Sequence, residues 1–154
     1  MNTKISFSKL AVIIVIILFV VFLFYLKFRE RILPELKIKL AGQELTVEVA
    51  KTPLTWKRGL SDRKELAANR GLLFIFSNEA RQSFWMKDMR FPIDIIWFDN
   101  GIVVDIAPNV KPSFIEPLPE YMPRLPANSV LEVNAGWSEK FGLKIGDQLE
   151  LLTK

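Results

Sequence analysis

Residues 10–26 read LAVIIVIILFVVFLFYL, an unbroken apolar run without a single charge. Nothing else in the chain restricts its folding so strongly. As a helix, the run would be roughly 25 Å long at about 1.5 Å per residue, close to the thickness of a bilayer core. Apolar side chains would lie on every face, so it is not an amphipathic surface helix. A chain of 154 residues is too small to enclose such a helix in its own core. A cleaved signal peptide is the rival reading. Its apolar region would span about 7–15 residues and end in a small-residue cleavage pattern, whereas here KFRER (27–31) follows directly. The sequence is therefore read as an N-terminal tail (1–9), an uncleaved transmembrane helix (10–26), a basic stalk (27–34) closed by Pro34, and a β-rich domain (35–154). The lipid bilayer is the expected partner of 10–26.

The positive charge belongs to the anchor. Lys4, Lys9, Lys27, Arg29 and Arg31 against Glu30 account for the whole net charge of +4, and residues 33–154 carry 16 basic and 16 acidic side chains. A nucleic-acid-binding domain would carry a surplus of Lys and Arg on one face. The densest basic pairs are Lys57-Arg58 and Arg63-Lys64, so no nucleic-acid partner is expected. Orientation is contested within the sequence: the basic residues after the run outnumber those before it, which places the domain in the cytoplasm by the positive-inside bias.

Beyond the stalk, LKIKL (36–40) and LTVEV (45–49) alternate apolar and polar residues around AGQE, a hairpin pattern. Thr52-Pro53 reads as an N-cap with proline at the first helical position, opening a short helix that ends near Gly59. Residues 62–69 are polar and could form another helical turn. GLLFIF (71–76) reads as a strand buried on both faces. SFWM (83–86) is a short strand and IDIIWFD (93–99) a longer one. Asn100-Gly101 favours a type I′ turn into IVVDIA (102–107). Five of the sixteen residues from Lys111 to Pro126 are proline, an ordered crossing loop or a flap. SVLEVNA (129–135), a helical turn at 137–141 and a closing strand within 144–152 complete the chain. About seven short strands predict a mostly β fold: a compact single-domain barrel or sandwich with one or two short helices, preceded by one transmembrane helix.

RGLSDR (58–63), GLLFIF (71–76), FWMKDM (84–89), PIDIIWFD (92–99) and VLEVNAGWSEKFGLKIGD (130–147) stand in an order and spacing that resembles the domain of unknown function 192 family, over about residues 44–152. The chain departs from the family pattern where GLLF lacks the Met common after the glycine, and where MKDM lacks the Asn-Thr common after the lysine. The resemblance implies a compact β-rich domain without an established activity. It also implies export or membrane tethering, which outweighs the charge count and places the domain on the extracytoplasmic face.

No His and no Cys occur. That removes the imidazole base, thiolate nucleophiles, disulfides and the commonest transition-metal ligands, and no metal or cofactor is expected. Ser61, Ser83 and Ser129 lack a base and are poor nucleophile candidates. Trp85 and Lys87 fall on one strand face, Phe84 and Met86 on the other. With Trp97 they form either an aromatic ligand platform or, more simply, core with a snorkelling lysine. Asp94 lies among Ile93, Ile95 and Ile96, where an unpaired charge is costly. It needs a partner, with Arg58, Arg63 and Lys87 as candidates; an ion pair is favoured over acid/base chemistry with Asp88, and over cation binding. Asp99 and Asp105 flank the Asn-Gly turn, and Asp99 reads most simply as a turn residue. Arg58 and Arg63 could clamp a carboxylate or phosphate, or simply pair on the surface. Asn134 and Gly136 follow an apolar strand, where Asn134 could bond a ligand or tie down a turn. Gly142, Gly146 and Asp147 form a turn framework.

These residues favour a non-enzymatic binding or accessory module at the membrane surface. Its expected site is a cleft near Arg58, Arg63, Trp85, Lys87, Asp94 and Asn134, covered by loop 111–126. It would take a small polar ligand, an envelope polymer or a membrane-protein partner. The alternatives are a His-free hydrolase using Asp88 or Asp94 and a purely structural domain.

Overall fold

The computed structural model describes residues 7–29 and 33–152, and the chain divides into two compact units, 1–33 and 34–154. The tail before residue 7 and the middle of the basic stalk (30–32) lie outside the described residues. The first unit is one helix, α1 (Phe7–Arg29). Its side chains are described at 8–23 and 25, and from Leu10 to Leu23 they are exposed. Among the described residues no helix is long and apolar enough to cross a membrane. The stretch of α1 with described side chains falls short of the about 20 residues a span requires.

The second unit is built on a seven-stranded sheet in the order β6-β5-β8-β3-β2-β1-β9. Its strands are β1 (Glu35–Leu40), β2 (Gln43–Ala50), β3 (Arg70–Ala80), β5 (Ile93–Asp99), β6 (Ile102–Val110), β8 (Ala127–Asn134) and β9 (Glu150–Leu152). A separate two-stranded arm pairs β4 (Phe84–Trp85) with β7 (Glu120–Tyr121). The expected β1–β2 hairpin forms, with Leu40 opposite Gln43. The Asn100-Gly101 turn also forms, with φ of 48° and 81°, the left-handed pair that a type I′ turn demands. Loop 111–126 is not free of structure, since it contributes β7 to the arm.

Two expectations need correction. The sheet is not a closed barrel. Across the seam between β6 and β9 a single bridge, Ile102–Gln148, takes the place of a continuous ladder. The residues that face β6 precede β9 and bond it irregularly, Val103 N–H donating to Asp147 O at 2.9 Å and Leu149 N–H to Gly101 O at 2.8 Å. Residues 62–69 form turns and no helix, because the backbone there serves contacts with distant residues. Thr46 N–H donates to Asn69 O at 3.0 Å, and Asp62 N–H donates to Asp88 O at 2.9 Å.

Side-chain alternation gives the sheet two buried faces. The concave face encloses Ile38, Leu40, Leu45, Val47, Leu73, Ile96, Phe98, Val103, Leu131 and Val133, closed at one end by Trp137 of α3 (Trp137–Lys140). The intervening residues Leu72, Phe74, Ile95, Trp97 and Val130 are buried as well. Above this outer face lie α2 (Pro53–Arg58), the segment after it, and the β4–β7 arm. The candidate pocket forms in that outer layer.

Candidate functional site

The pocket has a volume of about 390 Å³ and is lined by Trp56, Lys57, Arg58 and Gly59 of the α2 region, Phe74 and Phe76 of β3, Phe84 and Trp85 of β4, and Glu132 of β8. Its roof is fixed by local chemistry. Thr52 caps α2: its Oγ1 accepts from Thr55 N–H at 3.3 Å, while Thr55 Oγ1 accepts from Thr52 N–H at 3.0 Å. Pro53 supplies the helical φ at the first turn. The helix stops at Gly59, whose φ of 50° an L side chain rarely adopts. A Cβ on Gly59 would stand 3.6 Å from Phe74 Cζ and 3.9 Å from Glu132 Oε2, so this glycine lies over the pocket floor.

Rings form the walls. Trp56 Nε1 donates to Ala50 O at 3.1 Å, which fixes the indole, and its ring lies 4.9 Å from Phe76. Phe84 meets Phe74 edge-on at 4.9 Å and Trp97 at 6.2 Å. Trp97 is itself held by Nε1 donating to Gln82 O at 3.0 Å. Trp85 is 48% exposed. The expectation that it packs in the core fails, because β4 leaves the main sheet and turns this side chain to the pocket mouth. Lys87 Nζ lies 5.8 Å from the Trp85 ring centroid. Ser61 Oγ donates to Lys87 O at 2.8 Å, joining the segment after α2 to the arm.

The floor carries the unusual chemistry. Glu132 is 5% exposed, and its Oε2 has no hydrogen-bond partner among the described residues. On the neighbouring strands its register partners are Leu72 and Ile95, both apolar. Burial pushes the Glu132 carboxyl up to about 8, against a weaker opposing pull from Arg63. Arg63 offers little compensation because its guanidinium holds Glu48 bidentately at 2.6 and 2.7 Å. The carboxyl is therefore mostly neutral at pH 7, on a residue that lines an aromatic cavity.

The structure divides the six residues singled out by sequence. Arg58 and Trp85 line the pocket, and Lys87 flanks it. Arg63 closes an ion pair with Glu48 behind it. Asp94 is fully buried, yet a cation is not its partner, contrary to expectation. Its Oδ1 accepts from Asn109 N–H at 2.8 Å and Gly136 N–H at 2.9 Å, and its Oδ2 accepts from Ser138 N–H at 2.7 Å. It is a clamp on the start of α3 and the end of β6, which disfavours a proton-transfer role. Asp88 is exposed in a turn with φ of 56°. Asn134 lines a different cavity of about 570 Å³, and its Nδ2 donates to Leu66 O at 2.9 Å and Ala67 O at 3.2 Å. Asp105 is buried beside Arg124. Burial pushes its carboxyl up, but hydrogen bonds from the Arg124 side chain and backbone and from Ile106 N–H outweigh that and hold it below the usual range. Among the described residues no group of carboxylates is placed to hold a metal ion. Sequence reasoning missed Glu132. The signal was weak: its neighbours Leu131 and Val133 are apolar, as the isoleucines beside Asp94 are.

A family model for DUF192, described as "Uncharacterized ACR", matches residues 36–151, and the chain belongs to this family. A crystal structure of a candidate transcription regulator from Sinorhizobium meliloti 1021 is 31% identical, with a TM-score of 0.70 over 77% of this chain and 95% of that one. A protein of unknown function from Novosphingobium aromaticivorans DSM 12444 is 27% identical, with a TM-score of 0.67 over 77% of this chain and 84% of that one. No curated protein matches.

Proposed function

We propose that this member of an uncharacterised family is a non-enzymatic binding module, tethered to a membrane by α1, whose ligand enters the aromatic pocket beneath α2. The observation that carries the reading is the partnerless oxygen of Glu132 at the floor of that pocket. A buried polar atom without a partner costs about 1–3 kcal/mol, and a ligand that supplies the missing hydrogen bond recovers that loss. Ring walls with a few convergent polar groups are the general form of a small-molecule site. The Sinorhizobium relative is described as a candidate transcription regulator. Equal numbers of acidic and basic residues in 33–154 give a similar role no electrostatic support here.

The tether rests on α1. At about 1.5 Å per residue, the helix Phe7–Arg29 is roughly 35 Å long, and its described apolar side chains are exposed. Contiguous apolar surface of that extent favours lipid over water. The resemblance to exported or tethered proteins supports an extracytoplasmic pocket domain, against the charge count.

The test is a thermal-shift screen of the full chain in dodecyl maltoside micelles. A true ligand at about 100 times its Kd stabilises the native state by roughly 2.7 kcal/mol. The expected hits lose their effect in Trp85→Ala. Hits indifferent to Trp85 would refute the pocket. Trypsin added to intact cells should cut after Arg124, whose side chain is 71% exposed; cutting only after lysis would reverse the orientation.

A further inference from the structure

We propose that the pocket binds a small organic amine, its ammonium head donating to Glu132 Oε2 and its apolar body lying among Trp56, Phe84 and Trp85. The inference rests on the reading of this pocket as a binding site and names the ligand class. Four observations converge on it. The unsatisfied atom is a carboxyl oxygen, which in its carboxylate form takes a donor. The surrounding rings of Trp56, Phe74, Phe76, Phe84 and Trp85 present negative faces that attract a desolvated cation by about 2 kcal/mol. The strand neighbours Leu72 and Ile95 bring no competing charge to the floor. The cation nearest in electrostatic terms, Arg63, is already committed to Glu48.

Lys57, Arg58 and Lys87 are the remaining cations around the pocket, and Glu120, which accepts from Ser83 Oγ at 2.9 Å, is a carboxylate at its rim; all four are exposed. The repulsion from the three cations acts through water and salt, where a unit charge a few ångströms away is worth about 1 kcal/mol. The buried carboxylate acts in a medium of lower polarity and prevails. Ser61, Gln82 and Ser83 are neutral. A cavity of about 390 Å³ has room for a phenyl- or indole-sized body on the amine.

The proton balance follows from the floor. At pH 7 the carboxyl holds its proton, since burial raises it to about 8. An ammonium head needs the carboxylate, so each binding event releases nearly one proton to bulk water. The head keeps its own protons.

Isothermal calorimetry on the full chain in dodecyl maltoside, with 2-phenylethylammonium as the probe, tests this in buffers of different ionisation enthalpy. Close to one proton should be released per ligand at pH 7. Affinity should fall about tenfold from pH 7 to pH 6. Glu132→Gln should abolish the proton release and lower affinity at pH 8 at least tenfold. Trp85→Ala, at a half-exposed position, should weaken binding with proton release intact. The neutral analogue 3-phenylpropionamide should bind less than a tenth as well. Equal binding of the amide, or unchanged binding and proton release in Glu132→Gln, overturns the amine assignment. If the amide binds and Trp85→Ala removes that binding, the pocket stands and only the ligand class is wrong. If neither probe binds, the amine assignment falls and the pocket is judged by the wider screen.

Discussion

Replacing Glu132 with Gln should stabilise the protein at alkaline pH while leaving it little changed in mild acid. The native carboxyl titrates at about 8 and the unfolded one at the ordinary value of 4.5. Between those values the native state binds more protons than the unfolded state, so the stability of the wild type falls as pH rises. The contribution is fully present below 4.5 and is lost as pH climbs through the native value. Each unit of the gap is worth about 1.4 kcal/mol, so the full loss is of order 5 kcal/mol. That is a large share of the 5–15 kcal/mol typical of a domain. Gln keeps the volume and carries no titrating proton, so its stability should be nearly flat across the window. The chain has neither His nor Cys, which leaves the window almost free of other titrations, the terminal amine apart. Urea unfolding of both proteins in dodecyl maltoside, followed by tryptophan fluorescence at pH 5, 7 and 9, gives the difference. Parallel pH dependences, or a wild type that gains stability towards pH 9, would refute the reasoning.

Asp94→Ala strands three backbone N–H groups and should cost about 3 kcal/mol or more in urea unfolding; a loss under 1 kcal/mol would remove the clamp. Gly71→Ala places a Cβ 3.0 Å from Glu132 O and 3.2 Å from Val47 Cγ1, so it should lower stability by about 1–3 kcal/mol; a neutral effect would show that β3 can move away from β8. Asp105, held below its ordinary range by Arg124, adds stability above the unfolded carboxylate range, and that contribution is lost as pH falls through its lower native value. Asp105→Asn should therefore flatten the acid limb of the stability curve, and an unchanged limb would contradict the pairing.

The features legible in the sequence are those decided within a few residues. The Asn-Gly turn, the β1–β2 hairpin, the Thr52-Pro53 start of α2 and the helical turn at Trp137 follow from local torsional and capping preferences. The features that escaped depend on distant chain. Nothing local says that β2 and β3 run parallel, or that the sheet stays unclosed between β6 and β9. Asp94 was rightly marked as needing partners, but they are backbone donors from Asn109, Gly136 and Ser138, which no spacing rule connects to it. Trp85 looked like core because SFWM reads as an ordinary strand, and only its departure into the β4–β7 arm exposes it. Of the expected site, Arg58 and Trp85 survive in one pocket, while Asp94 and Asn134 serve the scaffold. Glu132 has apolar neighbours as Asp94 does, but alternation by itself reads a carboxylate between Leu131 and Val133 as facing solvent. Its significance needed the tertiary fact that α2, β3 and β4 bring rings around it while no described group donates to its Oε2.

The account stands on one buried acid, and carbon-detected NMR titration of the glutamate carboxyls measures it most directly, with Glu132→Gln supplying the assignment. The account predicts one carboxyl with a midpoint near 8 that is missing from the variant. A full set of midpoints near 4.5, with the variant's missing resonance among them, would contradict it.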